Sequence, residues 1–399
     1  MNKNVSNLFE IAKKESRHII GLMSGTSLDG LDIAFCEVFG SGSDTKINLK
    51  KFETIAYPDQ FKEKIRKVFA KETIDFQYLT VLNEYIGSYH AQLINQFLDK
   101  HSLQKSEVDL IASHGQTVFH APKLLHQLEE FSNATLQIGD GDHIAVKTGI
   151  ITVSDFRQKH IAAGGEGAPL AVYGDFLIFS KKGENRIMLN IGGIGNFTFL
   201  PGSSSAEEVF VTDTGPGNTL IDAFTRLYFP EKSFDKNAEL ALKGTVNQQL
   251  LTELKSHAFF NQTMPKTTGP ELFNINFVRN AQDITITNDL NPFDLLATLT
   301  RFTAETIAET IEQAVYQSEN YTLYLSGGGM HNPLIIKWLR ELLPSFTIGK
   351  SDDLGIDGNA KEAILFAILA NETIAGNSTF FGDRLAIPSV SFGKISFPN

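Results

Sequence analysis

Hydrophobic and polar positions along the chain run through the same pattern twice. Residues 18–23 are mostly apolar, Ser24-Gly-Thr-Ser-Leu-Asp-Gly30 is small and polar, and residues 31–38 are apolar again, which predicts strand, turn and strand. The pattern returns at residues 186–191, 192–196 and 197–200, with Gly192-Gly-Ile-Gly-Asn196 as the turn. Each hairpin is followed, after a helical stretch, by a short apolar strand ending in glycine, at 109–116 in the first round and 321–329 in the second. Two copies of one α/β unit account for both. Helical spacing of Phe61, Ile65, Val68 and Phe69, then of Leu79, Leu82, Ile86, Leu93 and Phe97, predicts two helices within 59–100. Further amphipathic helices are expected at 292–314, with Asn291 or Asn288 as cap, at 333–343, opened by Pro333, and at 359–374. Residues 119–134, 201–207 and 261–276 are turn-rich; they read as lids or substrate walls, with disorder as the plain alternative. Residues 1–17 read as a short helical leader.

A chain of 399 residues exceeds the size at which one core stops growing, so two lobes are expected. Its single cysteine, Cys36, permits no intrachain disulfide and no cysteine-rich zinc site, which is compatible with the cytoplasm. The 35 Lys and Arg against 46 Asp and Glu leave a formal charge of −11, unsuited to a phosphate backbone, so nucleic acid is not expected as a partner. Behind the basic leader the apolar run 19–23 is broken by Gly21 and is too short for a signal sequence. No window approaches the roughly 20 apolar residues of a membrane span, so a soluble protein without a membrane partner is the expectation.

The turns carry the candidate chemistry. Glycine lets backbone N–H groups approach a ligand, and with the hydroxyls of Thr26 and Ser27 such groups can hold phosphate; an ordinary hairpin turn is the alternative for each hairpin alone. The first turn lacks the ending of a Walker loop and leads into no helix. Asp213-Thr-Gly-Pro-Gly-Asn218 follows an apolar strand and precedes a helix-like run, where open α/β sheets bind ligands, so Asp213 is the candidate general base, against a turn-capping role. Asp222, inside the following helix, reads as structural. Ser326-Gly-Gly-Gly329 suits packing of a base or ribose on backbone, or is a tight turn. Arg157, Lys159 and His160, ahead of Gly164-Gly-Glu-Gly-Ala-Pro169, offer positive charge to an anionic substrate, or form a solvated charge run. Ser113 and His114 are adjacent on an extended segment and point to opposite faces, which disfavours a nucleophile pair. The histidines lack metal-site spacing, His114 with His120 included. Glu362 is a surface helix carboxylate by default, with a cleft-facing role as the alternative.

Together, Gly21-Leu-Met-Ser-Gly-Thr-Ser-Leu-Asp-Gly30, Ser113-His-Gly-Gln-Thr117, Asp155-Phe-Arg157, Ala162-Ala-Gly-Gly-Glu-Gly-Ala-Pro-Leu170, Leu189-Asn-Ile-Gly-Gly193, Asp213-Thr-Gly-Pro-Gly-Asn218 and Ser326-Gly-Gly-Gly329 resemble the anhydro-N-acetylmuramic acid kinases, in order from about residue 19 to about residue 374. The resemblance implies an α/β fold of the two-lobed actin-like ATPase, ribonuclease H-like class, with duplicated mixed-sheet domains and a nucleotide cleft between them. The lobes are expected at 18–160 plus 376–399 and at 161–375. It implies conversion of 1,6-anhydro-N-acetylmuramic acid, ATP and water to N-acetylmuramic acid 6-phosphate and ADP in peptidoglycan recycling, with ATP and Mg²⁺ as cofactors. Asp213 is then the base and Glu362 a second catalytic carboxylate. Gly25, Thr26, Ser27, Leu28, Asp29, Gly30, Leu31 and Asp32 form the phosphate loop, and Gly192, Gly193, Gly215, Gly217, Asn218, Gly327, Gly328 and Gly329 the remaining nucleotide contacts. Gln116, Thr117, Arg157, Gly165 and Pro169 are the expected substrate contacts, with Arg157 suited to the lactyl carboxylate. The wider superfamily usually has Asp in its two hairpins where this chain has Met23 and Asn190, so no magnesium ligand is assigned. The expected partners are the sugar and ATP, and a homodimer stays open. Two rivals are another sugar kinase of this superfamily and a non-catalytic ATP-binding protein of actin-like fold.

Overall fold

Local capping sets where the first elements begin. The Asn2 side chain accepts the Asn4 N–H at 2.8 Å and opens α1 (Lys3–Lys13), the expected leader helix. The computed structural model describes residues 2–315, 319–384 and 386–399. β1 (Ser16–Ser24) and β2 (Gly30–Phe39) pair antiparallel, and β3 (Lys46–Ala56) continues the meander. β1 is buried on both faces over most of its length, as a central strand covered by helices must be, whereas β3 alternates exposed and half-buried positions at the sheet edge. Two helices follow as the spacing predicts, α2 (Asp59–Arg66) and α3 (Phe76–Lys100), the latter capped by Asp75 on the Tyr78 N–H. Next come β4 (Leu110–Ala121), α4 (Lys123–His126), β5 (Ala134–Ile138), α5 (Gly141–Thr148), β6 (Thr152–Ser154), α6 (Phe156–Ala162) and α7 (Ala171–Phe179). The turn-rich 119–134 stretch thus holds the end of β4, the short α4 and the start of β5.

The second round has β7 (Asn185–Ile191), β8 (Ile194–Leu200), β9 (Phe210–Pro216) and α8 (Thr219–Tyr228), then α9 (Gln248–Lys255), α10 (Ile275–Thr285), α11 (Pro292–Ala314), β10 (Tyr321–Ser326), α12 (Pro333–Leu342) and β11 (Thr347–Lys350). Asn291 and Asn332 cap α11 and α12, each with proline in the first turn. The chain ends with α13 (Lys361–Ala375) and β12 (Lys394–Ser396).

The sheet orders are β12-β6-β4-β1-β2-β3, with β5 paired to β4, and β11-β10-β7-β8-β9. In each, an antiparallel three-strand meander is extended on its first strand by two parallel strands, β4 and β6 in one and β10 and β11 in the other. The duplication read from the hydrophobic pattern is therefore repeated strand for strand. The architecture is α/β, with a duplicated mixed sheet, as expected.

The compact units are Met1–Ile178 with Asn359–Asn399, and Phe179–Gly358. The expected division assigned 161–178 and 359–375 to the other half; they pack in the first unit. The reason lies in α13, whose residues 363–372 are all buried. It crosses β1 so closely that a Cβ on Gly21 would lie 1.9 Å from the Ala363 carbonyl oxygen. Arg17 locks the same contact, its Nε donating to Asn371 Oδ1 and its other nitrogens to the Lys14 and Gly40 carbonyls, each at 2.6 Å. Among the described residues no helix is long and apolar enough to cross a membrane, and Cys36 is a buried free thiol.

Candidate active site

In the first unit, the turn between β1 and β2 points its chemistry outward. Thr26, Ser27 and Asp29 are exposed, Gly25 is half-buried, and Leu28, at φ 60°, turns its side chain into the core as a pin. Leu31 is likewise in the core and Gly30 is pressed against β3, where a Cβ would lie 2.5 Å from the Ile55 carbonyl oxygen. Leu28, Gly30 and Leu31 therefore offer a phosphate backbone groups only. Asp32 is half-buried and accepts the Thr54 hydroxyl at 2.5 Å; lost solvation raises its carboxyl above the ordinary value, against that hydrogen bond and with help from Asp29.

Beneath the turn runs a buried chain of side chains. Ser24 Oγ donates to Gln116 Oε1 at 2.5 Å and meets the Tyr57 hydroxyl at 2.8 Å, which in turn reaches His90 Nε2 at 2.9 Å. The Gln116 amide donates to the Gly25 and Thr117 carbonyls at 3.3 and 3.1 Å. Gln116, expected to contact substrate, is fully buried and braces the turn. Thr117 is half-buried and its hydroxyl accepts from Gln137 Nε2 at 3.2 Å. The sequence offered no sign of Tyr57 or His90 as supports, because a buried polar pair is visible only once the strands are placed.

Arg157, near the start of α6, donates from Nε to His114 Nε2 at 2.9 Å and from Nη1 to the Gly167 carbonyl at 2.7 Å. Burial lowers its pKa, and the Glu362 carboxylate opposes that fall. Glu362, at the start of α13, keeps an accessible side chain, yet lost solvation pushes its carboxyl up, Arg157 pulls it down and Asp32 pushes it up again. The first unit thus groups Asp32, Arg157 and Glu362 electrostatically. Gly165 is buried, where a Cβ would strike the His160 ring at 2.2 Å, so it is a packing residue. Pro169, after a cis peptide bond, is exposed. Ser113 Oγ accepts the Gly115 N–H at 3.3 Å while His114 Nδ1 reaches the Gly115 carbonyl, consistent with the two side chains not acting as a pair. A cavity of about 590 Å³ opens in this unit beside β4, lined among others by Asn83, Ser113, Gln137, Asp140 and Ser154.

In the second unit three glycine segments converge. Gly217 and Asn218 donate backbone N–H groups to the Gly193 and Gly192 carbonyls, both at 2.8 Å, and the Asn218 amide donates to Ile191 and Gly192 at 3.2 and 3.0 Å. Asn218 therefore ties the hairpin to the start of α8. Gly327, at φ 79°, passes where a Cβ would lie 2.6 Å from Asn190 Oδ1, and one on Gly329 would lie 2.2 Å from Ile191. Gly192, Gly193, Gly327 and Gly328 keep accessible backbone, while Gly215, Gly217 and Gly329 are buried in the packing.

Asp213 sits at the middle of β9, three residues before its end and not at the strand terminus the sequence suggested, opposite Asn196 of β8. Its Oδ2 accepts the Thr268 N–H at 2.7 Å and its own N–H donates to the Lys266 carbonyl at 2.9 Å. Loss of solvation raises its pKa to about 6, against the Thr268 hydrogen bond and with the Glu271 charge. The 261–276 stretch is thus anchored on the candidate base through 266–268, by bonds the sequence did not reveal. Asp222 is also raised to about 6 by lost solvation but lies within α8 near Arg226.

The profile of the anhydro-N-acetylmuramic acid kinase family matches residues 17–380. An anhydro-N-acetylmuramic acid kinase of Pseudoalteromonas atlantica is 53% identical over 100% of both chains, and one of Pseudoalteromonas translucida 50% over the same span. The chain belongs to the anhydro-N-acetylmuramic acid kinase family. A more distant kinase of that name, from Caldanaerobacter subterraneus, is 39% identical and covers 93% of this chain and 94% of its own. These relatives favour neither the other-sugar kinase nor the non-catalytic alternative.

Proposed function

We propose that this protein uses ATP and water to convert 1,6-anhydro-N-acetylmuramic acid to N-acetylmuramic acid 6-phosphate, with ADP as the second product. Asp213 is the observation that carries the mechanism: a half-buried carboxylate within β9, oriented by the Thr268 N–H and raised to about 6, so that it is ionised at neutral pH and still basic enough to accept a proton. In this reading Asp213 takes a proton from water as the water oxygen bonds to the anomeric carbon. The bond from that carbon to oxygen 6 breaks, and oxygen 6 bonds to the γ-phosphorus as ADP departs. One base is sufficient, because the opening bridge itself supplies the phosphoryl acceptor.

The exposed Thr26, Ser27 and the backbone of Gly192, Gly193, Gly327 and Gly328 suit the nucleotide, since accessible N–H and hydroxyl donors stabilise phosphoryl oxygens. Magnesium on a nucleotide takes one or two carboxylates and keeps several waters. No group of three metal-ligating side chains occurs among the described residues, and Asp29 with Asp32 fits that smaller demand. When bound, the ion neutralises phosphate charge. Arg157 is assigned to the lactyl carboxylate and Glu362 to the sugar beside it. The protein works in the cytoplasm in this reading, where ATP is held. Mass spectrometry of the product formed in ¹⁸O water tests the reaction: the label is expected on the anomeric hydroxyl, and label on phosphate overturns the mechanism.

A further inference from the structure

His114 is fully buried in β4. Its Nδ1–H donates to the Gly115 carbonyl at 2.9 Å, which fixes the tautomer and leaves Nε2 as an acceptor for the Arg157 Nε–H, also at 2.9 Å. The Phe366 ring of α13 packs on the imidazole with centroids 4.8 Å apart, so the ring cannot swing away without opening a core contact. Burial, reinforced by the Arg157 charge, lowers the imidazole pKa to about 3, so it stays neutral throughout the pH range in which ATP-dependent chemistry is run. The Gly167 carbonyl holds Nη1 at 2.7 Å. Two of the three guanidinium nitrogens are thus held by protein acceptors, and the Nη2 edge is left for a ligand.

We propose that His114 is the positioning residue for Arg157: by accepting the Nε–H with a neutral imidazole, it aims the guanidinium at the carboxylate that distinguishes a muramic from a glucosamine sugar. An arginine recognises a carboxylate well only if its plane is held, because its long side chain otherwise loses rotamer freedom on binding. A neutral acceptor holds that plane without cancelling the charge, which an aspartate in the same place would do. Specificity for the acid then depends on a residue that never touches the sugar. The inference rests on the reading of Arg157 as the group that meets the lactyl carboxylate.

The experiment compares kinetics on 1,6-anhydro-N-acetylmuramic acid and on 1,6-anhydro-N-acetylglucosamine, which lacks the lactyl group. Arg157→Ala tests the underlying reading alone: its sugar KM rises and the preference for the acid collapses, and an unchanged KM would remove that reading and this inference together. His114→Asn keeps a donor for the Gly115 carbonyl but does not reach Arg157, whereas His114→Gln restores an acceptor near the position of Nε2. Loss of one charge-assisted hydrogen bond predicts a rise of about tenfold in the muramic-sugar KM for His114→Asn, with the ATP KM and the activity on the glucosamine sugar unchanged. His114→Gln is expected to recover most of that loss. His114→Phe, which keeps ring volume against Phe366, replaces the Asn variant if that one does not fold, and the same rise is expected. If Arg157→Ala changes the sugar KM while the variants lacking the acceptor match His114→Gln, or all of them lower activity on both sugars alike, His114 is only a packing residue and the inference is overturned with the Arg157 reading intact.

Discussion

The two hairpins are built on the same strand order and held by different means. The turn after β1 has several residues, carries two hydroxyls and one carboxylate outward, and is braced from below by side chains: Ser24, Gln116, Tyr57 and His90. The turn between β7 and β8 is only Gly192-Gly193, carries no side chain, and is braced by backbone from Gly217 and by the Asn218 amide. One topology thus supports two ways of presenting N–H groups. Side-chain bracing tolerates a longer turn with its own chemistry, and backbone bracing demands glycine at the residue that does the bracing, Gly217.

The largest expected difference concerns which unit supplies the base. Asp213→Asn is expected to lower turnover by about 10²–10⁴-fold while nucleotide binding persists, and Asp222→Asn, equally raised in pKa but placed within α8, to leave turnover near normal. Steady-state kinetics with a nucleotide titration separates them; equal losses would dissolve the contrast. Next is the bracing itself. A Cβ on Gly217 would lie 2.4 Å from the Gly192 carbonyl oxygen, whereas one on Gly25 would meet only Ser27 Oγ at 3.7 Å. Gly217→Ala is therefore expected to cost about 1–3 kcal/mol through overpacking, and Gly25→Ala within about 0.5 kcal/mol. Chemical denaturation of both variants is the measurement, and equal losses would show that both turns lean on backbone.

Tyr57→Phe sharpens the other side. It removes the only hydrogen-bond partner of buried His90 among the described contacts, whose Nδ1 is already unpaired, and is expected to cost about 1–2 kcal/mol. The ATP KM should rise with it, since Ser24 loses its support; an unchanged KM would detach this chain of side chains from the turn. The smallest effect is on pH. The carboxyl of Asp213 is raised to about 6 in the fold, so its proton is bound more tightly there than in the unfolded chain. Its contribution to stability is full below about 4, the unfolded value, and is lost as pH rises through about 6. Asp213→Asn should then raise Tm modestly at pH 8 and give no gain at pH 4, and the wild-type activity profile should fall on the acid side near 6. A gain independent of pH would contradict the raised carboxyl.

The repeat was legible because each half carries its own apolar, glycine, apolar grammar, and strand pairing follows from it. Asp213 was legible as a carboxylate on the strand ahead of α8, but not its place, since the strand runs on through Thr214-Gly-Pro216. The packing of α13 was not, since an apolar helical run shows that it is covered and not by which sheet. Only Gly21, which reads in the sequence as a break in an apolar run, marks the crossing. The bracing role of Gln116 was hidden for a related reason: the sequence shows a polar residue in a glycine-bearing motif, and not that its amide bonds to Ser24, Gly25 and Thr117. Leu28 and Leu31 belong to the expected phosphate loop by position, and their side chains are in the core, which an apolar residue inside a polar turn already hints at.

The interruption of the first unit by the whole of the second has a consequence for synthesis. A ribosome releases β1, with the narrow face at Gly21, long before it makes the helix that closes over it. Until then that apolar face has no cover, while the Phe179–Gly358 segment is continuous and can collapse on its own contacts. A chain cut before residue 359 should therefore keep the Phe179–Gly358 segment folded while its first 178 residues, lacking their cover, make the whole chain prone to aggregate, so that residues 359–399 are a closing piece for the first unit.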